Sequence, residues 1–464
     1  MNQAQPDGPW RPSIDRTHGP LYLAIADVMQ SDILAGRLRG GDRLPPQRQL
    51  AEHLDIDFTT VTRAYAEARR RGLVEGQVGR GTYVRQATPA RTQLSRGQVD
   101  LSMIMPPRFD DAAVVARMCR GMAELQTGDV LGLLLRYQEA GGTEHDRMAG
   151  ARWLARRLDG APENRLLVCA GVQGALEIVL NMLAAPGDAI CVEALSYSGF
   201  LSLAAHQGVR LLPIPMDDQG LQPEAFEAAC KTQRPKALYC NPTLHNPTTV
   251  TMPLARRKML IDIARRYHVP IIEDDAHGAL PLYPEPALAR LGPDVVYYIA
   301  GLAKCLSPAL RIAYLVLPDP RQFNGAIHAM RGTAAVASPL TAALATQWIE
   351  DGTADAVLEA IRREVGLRQS LVAEILPEGM FQADPCGSLV WLNLPHPWTR
   401  REFVASMRAE AIGVVGSDAF STGMPPEAVR LGVGVAADHD ELARSLHRVA
   451  YLLAHPPAAT TMVV

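Results

Sequence analysis

Short β-rich runs alternate with longer helical stretches over most of this chain, and no other feature of the sequence limits the fold as strongly. The strand candidates are residues 165–169, 189–192, 209–213, 237–240, 270–274, 295–299 and 311–316. Strands separated by helices in this way are typical of an α/β domain with a largely parallel sheet. We therefore expect residues 99–464 to form such a domain, with its ligand beyond the strand ends.

The N-terminal region has a different pattern, that of a winged helix-turn-helix. Its predicted elements are a helix from residue 21 to about Gly36, helices over 47–54 and 59–71, and two strands at 73–75 and 82–84. We interpret residues 1–85 as a DNA-binding domain with an ordered core from about 19 to 85. The polar stretch 86–98 is expected to be a linker to the domain at 99–464.

The charge of the whole chain does not predict DNA binding. The formal net charge is −3, so any affinity for nucleic acid must come from a local surface. Residues 11–84 contain eleven arginines, no lysine and nine acidic residues. In a helix-turn-helix the second helix enters the major groove, while flanking groups hold phosphates. The candidate DNA contacts are Arg43, Arg48, Thr59, Thr60, Thr62, Arg63, Arg80 and Gly81. A helical cap with a solvated charged face is the alternative.

Lysine is rare in this sequence, with four lysines among 464 residues. One of them, Lys304, lies in the apolar segment 300–311. An arginine stays protonated in a protein, whereas a desolvated lysine can lose its proton, attack an aldehyde and hold a cofactor as a Schiff base. A lysine that extends from a core element to water is the alternative interpretation.

Several strand candidates end in groups that a pyridine aldehyde phosphate requires. A glycine-containing turn at 170–174 opens a helix, whose free amides and dipole can hold a phosphate. The segment 241–248 contains two Asn-Pro steps, which fix the backbone so that an asparagine amide can reach a ring oxygen. A purely structural turn is the alternative there. Arg311 follows Lys304 by seven residues and can return toward the phosphate.

Three consecutive carboxylates, Glu273, Asp274 and Asp275, stand at the end of one strand candidate. Isolated buried acids are costly, so these should face solvent or a cation. A protonated pyridine nitrogen is such a cation, and the charge-assisted bond to it is worth about 1.5–3 kcal/mol. Metal binding is the competing interpretation, but His277 is the only imidazole nearby.

The cysteine pattern and the N-terminal residues indicate the cellular compartment of the protein. The seven cysteines include no Cys-x-x-Cys pair, which argues against a disulfide framework or a zinc finger. No run of about 18 apolar residues occurs, and the first residues lack the basic and apolar regions of a secretory signal. We expect a soluble cytoplasmic protein that does not enter a membrane.

The N-terminal motifs resemble those of GntR-type regulators. The family pattern Leu-Pro-Ser-x-Arg-x-Leu-Ala is approached by residues 44–51, and the element Gly-x-Gly-Thr-Tyr-Val is met by residues 79–84. The family often has Ser-Arg at the start of the recognition helix, where this chain has Asp57 and Phe58. Asp57 is a good N-cap, but the family's DNA sequence preference is not carried over without that arginine.

The region 99–464 resembles a fold-type I aminotransferase, which binds pyridoxal 5'-phosphate. The signature Ser-x-Ser-Lys-x-x-x-Pro-x-x-Arg is approached by residues 301–311. The resemblance implies that Lys304 forms the Schiff base, that Asp274 pairs with the pyridine nitrogen and that Asn246 donates to the ring hydroxyl. It further implies Arg311, Val172 and Gln173 as phosphate ligands, Tyr197 as the stacking aromatic, Tyr137 as a ligand of a neighbouring subunit's phosphate, and Arg430 as the group that takes a substrate or effector carboxylate.

The chain departs from the aminotransferase pattern at three positions. Gly301 and Ala303 replace the two serines that usually precede the lysine, and His277 stands where many relatives have a tyrosine near the ring hydroxyl. These departures predict an altered phosphate affinity and an altered aldimine pKa.

A winged helix-turn-helix joined to an aminotransferase-like domain is the architecture of MocR-type regulators. The resemblance implies a homodimeric transcription factor that binds double-stranded operator DNA and pyridoxal phosphate. It would sense an amine, an amino acid or the cofactor itself through the internal aldimine. One alternative is a catalytically active aminotransferase with an appended DNA-binding domain. Another is a cofactor-free fold that serves only for dimerisation.

Overall fold

The chain forms two compact units, Met1–Arg96 and Gly97–Val464. The computed structural model describes residues 10–12, 14, 20–34, 37–38, 41–71, 73–77, 81–84, 99–125, 132, 137–160, 163–333 and 335–456. Within those ranges, none of the helices combines the length and the apolar character needed to span a bilayer.

The first unit has the predicted order of three helices and a two-stranded wing. Its elements are α1 (Leu21–Leu34), α2 (Gln47–Leu54), α3 (Phe58–Arg70), β1 (Val74–Gln77) and β2 (Gly81–Val84). Ile25 of α1, Leu50 of α2 and Val61 of α3 are buried in one core that joins the three helices. The predicted N-cap of α3 is confirmed, because the Asp57 side chain accepts a hydrogen bond from the Thr59 amide at 2.7 Å.

The second unit contains most of the secondary structure. Its strands are β3 (Val99–Asp100), β4 (Leu166–Cys169), β5 (Ala189–Glu193), β6 (Arg210–Ile214), β7 (Met216–Asp217), β8 (Gly220–Leu221), β9 (Leu238–Cys240), β10 (Ile271–Asp274), β11 (Val296–Gly301), β12 (Ala313–Val316), β13 (Phe381–Ala383), β14 (Leu389–Asn393), β15 (Ile412–Gly413), β16 (Val415–Gly416) and β17 (Ala428–Gly432). Its helices are α4 (Ala112–Glu124), α5 (Glu144–Leu154), α6 (Gly171–Leu183), α7 (Ser198–His206), α8 (Pro223–Gln233), α9 (Leu254–Tyr267), α10 (Leu288–Leu291), α11 (Phe323–Gly332), α12 (Pro339–Glu350), α13 (Thr353–Ile375), α14 (Arg400–Ala409) and α15 (His439–Ala454).

All seven strand candidates join one sheet, in the order β4-β12-β11-β10-β9-β5-β6. The sheet is largely parallel, as predicted, and only β12 runs antiparallel to its two neighbours. The strand predicted at 311–316 begins instead at Ala313. Arg311 has a φ of 53°, a left-handed conformation that does not fit a strand.

Helices cover both faces of this sheet. Every residue of β4, β5, β10 and β12 is buried, as expected for strands packed on two sides. Within β10, Ile271 belongs to a core that contains Trp153 of α5, whereas Ile272 belongs to a second core with Phe200 of α7. β10 is therefore packed on both faces up to its end at Asp274.

A smaller antiparallel sheet, in the order β13-β14-β17-β16, forms the C-terminal part of the second unit. Its core includes Phe403 of α14 and Leu446 of α15. β3, the first strand of the second unit, pairs in parallel with β15 of the C-terminal part.

Candidate functional site

A cavity of about 170 Å³ lies at the strand ends of the large sheet. It is lined by Ile104, Ala170, Gly171, Val172, Gln173, Tyr197, Asn241, Asn246, Asp274, Ala276, His277, Gly301, Ala303, Lys304, Arg311 and Ile312. Residues that are far apart in the sequence thus meet in one place. The cavity contains every residue singled out for the cofactor except Tyr137, which is fully exposed.

Lys304 follows β11 and is partly buried at the cavity. Its Nζ donates a hydrogen bond to the Ile104 carbonyl at 2.6 Å. Burial and the neighbouring Arg430 lower the pKa of Lys304 to about 8, although Asp274 opposes the shift. Near neutral pH this lysine is therefore deprotonated far more often than an ordinary lysine.

This pKa predicts how an aldehyde will react with the ligand-free protein. The rate at which Lys304 captures pyridoxal phosphate should rise with pH and level off above about 8, because the neutral amine is the nucleophile. Stopped-flow absorbance between pH 6 and 10 measures this profile. Arg430→Gln should move the midpoint to higher pH, since Arg430 lowers the lysine pKa. A midpoint near the ordinary lysine value in the wild-type protein would contradict the prediction.

Asp274 ends β10 and is buried at the cavity. Its Oδ2 accepts a hydrogen bond from the Tyr239 hydroxyl at 2.9 Å, and its Oδ1 accepts one from the Ala276 amide at 3.2 Å. Burial raises the pKa of Asp274 to about 6. The carboxylate is still mostly ionised at neutral pH, and it would be stabilised by a cationic group in the cavity.

The two neighbouring carboxylates have partners of their own. Asp275 accepts hydrogen bonds from Arg157 Nε at 2.8 Å and from the Tyr298 hydroxyl at 2.7 Å. Burial raises the pKa of Asp275, but Arg157 outweighs it and keeps the net shift downward. Glu273 accepts from two backbone amides at the start of α10. Of the three acids, only Asp274 lines the cavity.

Asn246 lines the cavity, and Arg430 of β17 contacts it. Arg430 Nη1 donates to Asn246 Oδ1 at 2.9 Å, and its Nη2 donates to the Ser102 carbonyl at 2.5 Å. The Asn246 amide donates to Asn241 Oδ1 at 2.8 Å. Arg430 is 6% exposed, and its Nε has no hydrogen-bond partner among the described residues. A buried guanidinium in this state can bind a carboxylate.

The N-terminus of α6 forms the opposite side of the cavity. Gly171 has a φ of 76°, and Ala170 at the N-cap supplies no side-chain hydrogen bond. The first amides of the helix, including those of Val172 and Gln173, lack partners within the helix. An added Cβ at Gly301 would lie 2.5 Å from Val172 Cγ2. A serine at position 301, as in many relatives, would therefore clash with Val172.

His277 and Tyr197 complete the lining. His277 is 3% exposed, and neither ring nitrogen has a hydrogen-bond partner among the described residues. Burial and Lys304 lower the pKa of His277 to about 3, so the imidazole is neutral. Tyr197 immediately precedes α7, and burial raises the pKa of its hydroxyl.

The structure also shows cavity groups that the sequence reasoning missed. Tyr239 and Asn241 hold Asp274, the latter through a side-chain bond to its carbonyl. Ser102 and Ile104 accept hydrogen bonds from Arg430 and Lys304, respectively, through their backbone carbonyls. Asn241 belongs to the Asn-Pro motif that was recognised, so its position in that motif could have indicated it. Backbone carbonyls leave no such signal in the residue types.

The candidate DNA surface lies on α3 and beside the wing. Thr59, Thr62 and Arg63 are exposed on α3, whereas Thr60 is half-buried. The Thr62 hydroxyl donates to Gln47 Oε1 at 2.9 Å, which ties α3 to α2. The exposed face of α3 therefore combines the ring of Phe58 with the short polar side chains of Thr59 and Thr62 near its start.

The arginines of this unit fall into two groups. Arg70 and Arg71 are paired with acids of the same unit. Arg43, Arg48 and Arg63 have no ion pair within the described residues. The Arg48 guanidinium lies 5.9 Å from the Phe58 ring centre and that of Arg63 lies 4.5 Å from Tyr22. Arg43 packs beside Gly81, whose φ is 121°. Arg80 lies outside the described residues.

Both units match known protein families. Residues 129–449 match the family Aminotransferase class I and II, and residues 21–84 match Bacterial regulatory proteins, gntR family. The first family implies pyridoxal phosphate as the cofactor. The cavity fits that group, because it combines a lysine of low pKa, a buried carboxylate and two unpaired nitrogens of a buried histidine.

Relatives share this architecture. The Bacillus subtilis protein named uncharacterized HTH-type transcriptional regulator YdeF is 31% identical over 94% of this chain and 95% of its own length. The probable rhizopine catabolism regulatory protein MocR of Rhizobium meliloti is 27% identical over 76% of each chain. The crystal structure of LysN, an alpha-aminoadipate aminotransferase from Thermus thermophilus, superposes with a TM-score of 0.70 at 23% identity, over 84% of this chain and 98% of that one. The chain thus belongs to the MocR-type transcriptional regulators, which join a GntR helix-turn-helix domain to an aminotransferase-like domain.

Proposed function

We propose that this regulator holds pyridoxal phosphate covalently through Lys304 and binds operator DNA through residues 1–85. An amine, an amino acid or the cofactor itself changes the DNA contacts when it occupies the cavity. Residues 86–98 link the two functions, and residues 99–464 hold the cofactor and form a cytoplasmic homodimer. Such a dimer would present two recognition helices to paired half-sites.

The convergence of Lys304 and Asp274 on one cavity is the observation that carries this proposal, and the lowered pKa of Lys304 supports it. When bound, pyridoxal phosphate supplies an aldehyde that condenses with primary amines and a ring that withdraws electrons. Asp274 would hold the protonated ring nitrogen, and Asn246 would donate to the ring hydroxyl from beside Arg430. The buried, neutral His277 would lie near the ring hydroxyl, on the same side of the ring as Asn246.

The remaining lining residues would orient the ring and the phosphate. Tyr197 would stack on the ring. Arg311 and the amides of Val172 and Gln173 at the start of α6 would hold the phosphate, since a helix N-terminus attracts anions. Tyr137 is exposed on the surface, which is compatible with a contact to the phosphate site of a neighbouring subunit.

Arg430 would receive the effector carboxylate. Its guanidinium already donates one hydrogen bond to the Asn246 side chain and one to the Ser102 carbonyl, so it is held in place before a ligand binds. A ligand can shift the protein between two conformations only by binding them with different affinities. Operator affinity should therefore differ between the ligand-free protein, the protein with pyridoxal phosphate and the protein with both cofactor and amino acid.

Fluorescence anisotropy with operator DNA tests this proposal. The operator is first mapped by footprinting the DNA beside the gene. A coupling typical of allosteric proteins would change the affinity by about 5- to 150-fold. Equal affinity in the three states, with cofactor uptake verified by absorbance, would contradict the sensor function.

Substitutions on the DNA surface give a separate prediction. Arg48→Ala and Arg80→Ala should each weaken operator binding and reduce the slope of log K against log salt by about 0.9, the value for one lost phosphate contact. Arg401→Ala removes an exposed arginine from the second unit and serves as the matched control. Unchanged slopes in both Arg48→Ala and Arg80→Ala would show that the DNA surface lies elsewhere.

A catalytically active aminotransferase is the second candidate function. It is favoured by the proximity of Lys304, Asp274 and Arg430. Arg430 is close enough to lower the pKa of Lys304, and Asp274 is close enough to oppose that shift. Sustained transamination between an amino acid and a 2-oxo acid at about 1–10³ s⁻¹ would support it. A single half-turnover per site, combined with altered operator affinity, would support the sensor.

A further inference from the structure

Residues 101–106 run across the candidate site, and we call this segment the strap. It follows β3 directly, so β3 alone separates it from the proposed linker at 86–98. The strap contributes Ile104 to the cavity lining. It is thus the part of the ligand site that lies nearest in sequence to the DNA-binding unit.

Two carbonyl groups of the strap accept hydrogen bonds from Arg430 and Lys304. The Ser102 carbonyl accepts from Arg430 Nη2 at 2.5 Å, and the Ile104 carbonyl accepts from Lys304 Nζ at 2.6 Å. Buried cations require acceptors. In the ligand-free protein the strap supplies one acceptor to each.

The carbonyls of Leu101, Met103 and Met105 lie against the end of β17 and the residues that follow it. The Leu101 carbonyl accepts from the Gly432 amide at 2.7 Å. An added Cβ at Gly432 would lie 2.0 Å from the Met103 oxygen, and one at Gly434 would lie 1.8 Å from the Met105 oxygen. Real Cβ atoms do not approach oxygen so closely. The strap can therefore dock here only because both positions are glycine.

A ligand carboxylate competes directly with this arrangement. A carboxylate binds an arginine best through two parallel hydrogen bonds. One Nη of Arg430 is held by Asn246 and the other by the Ser102 carbonyl, while Nε is unpaired. A carboxylate that takes Nε and Nη2 shares the Nη2 nitrogen with the Ser102 carbonyl, so it weakens the strap's bond to Arg430.

We propose that the strap is a carboxylate-sensing element that reports occupancy of the ligand site. A ligand that places a carboxylate on Arg430 displaces the Ser102 carbonyl and releases the strap from Gly432 and Gly434. Amines without a carboxylate leave this contact intact. The effector class is therefore an amino acid rather than a simple amine. This inference rests on the proposed function, because it assigns the regulation of the same cavity.

Two matched probes test the proposal on the full chain. N-(5'-phosphopyridoxyl)-L-alanine and N-(5'-phosphopyridoxyl)ethylamine differ only in the carboxylate and bind without a covalent bond to Lys304. Hydrogen exchange is measured by mass spectrometry for peptides that cover residues 101–106 and Gly432. Exchange should be at least about fivefold faster with the alanine probe than with the ethylamine probe, and operator affinity should differ in parallel.

A glycine substitution provides the complementary measurement. Gly434→Ala should give the fast strap exchange and the ligand-bound operator affinity without any ligand, because its Cβ excludes the Met105 carbonyl. Gly366→Ala on α13 is the control, since an added Cβ there meets nothing within 4 Å. If Gly434→Ala does not fold, the comparison of the two probes on the wild-type protein tests the proposal.

The outcomes separate this inference from the proposed function. If both probes bind but give equal strap exchange, or if the alanine probe slows it, the strap proposal is overturned while the cofactor site stands. If neither probe binds, as measured by calorimetry, the proposed function fails and the strap proposal fails with it.

Discussion

Lys304→Ala should abolish the adduct that borohydride fixes between this protein and pyridoxal phosphate. In the wild-type protein, mass spectrometry should find the reduced adduct on the peptide that contains residue 304. The chain has only three other lysines, and Lys304 is the one that lines the cavity. Its pKa of about 8 also makes it far more nucleophilic at neutral pH than an exposed lysine.

The same substitution should weaken cofactor retention by at least about tenfold, which corresponds to about 1.4 kcal/mol, because only non-covalent contacts remain. Operator binding by the ligand-free protein should persist, whereas the response to ligand should be lost. Lys258→Ala, which removes an exposed lysine of α9, is the control and should leave adduct and retention unchanged. An adduct that survives in Lys304→Ala would remove the assignment of this lysine.

Asp275→Asn should destabilise the fold, whereas Asp274→Asn should impair the site without destabilising it. Asp275 and Arg157 form a buried ion pair with side-chain exposures of 0% and 3%. Removing one partner leaves an uncompensated buried charge, so Asp275→Asn should lower the free energy of unfolding by about 3–5 kcal/mol. Denaturant titration of the ligand-free protein measures this loss.

Asp274 is in the opposite situation. Its folded pKa of about 6 lies above the ordinary aspartate value, so at neutral pH its charge costs stability in the ligand-free protein. Asp274→Asn can accept from the Ala276 amide through Oδ1 and donate to the Tyr239 hydroxyl through Nδ2, and it removes the cost of the charge, so stability should be retained or increase. Pyridoxal phosphate should bind at least about tenfold more weakly, because the ring nitrogen loses its counterion. If Asp275→Asn impaired cofactor binding more than Asp274→Asn at equal folding, the two roles would be reversed.

The sequence indicated the large sheet because each of its strands is a short apolar run flanked by turn residues. It also indicated Asp274 and Lys304, since a carboxylate at a strand end and a lone lysine among apolar neighbours are unusual in themselves. Which of three adjacent acids faces the cavity depended on Arg157, which lies more than a hundred residues away and pairs with Asp275. Such long-range pairing has no local pattern.

The strap escaped sequence reasoning for a different reason. Ser102 and Ile104 act through backbone oxygens, which every residue has. The signal that could have found them is the pair Gly432 and Gly434 directly after the predicted carboxylate-binding arginine. Two glycines at that spacing indicate a close approach of another chain segment, but not which segment approaches.

The contact between Arg48 and Phe58 bears on how operator preference could be redesigned. The two side chains come from different helices, and the aromatic ring stands where GntR-type proteins often have an arginine. Replacing Phe58 alone with arginine would bring two guanidinium groups together and remove the aromatic ring that Arg48 contacts. We therefore expect that grafting a foreign half-site specificity onto this scaffold requires positions 48 and 58 to be exchanged together.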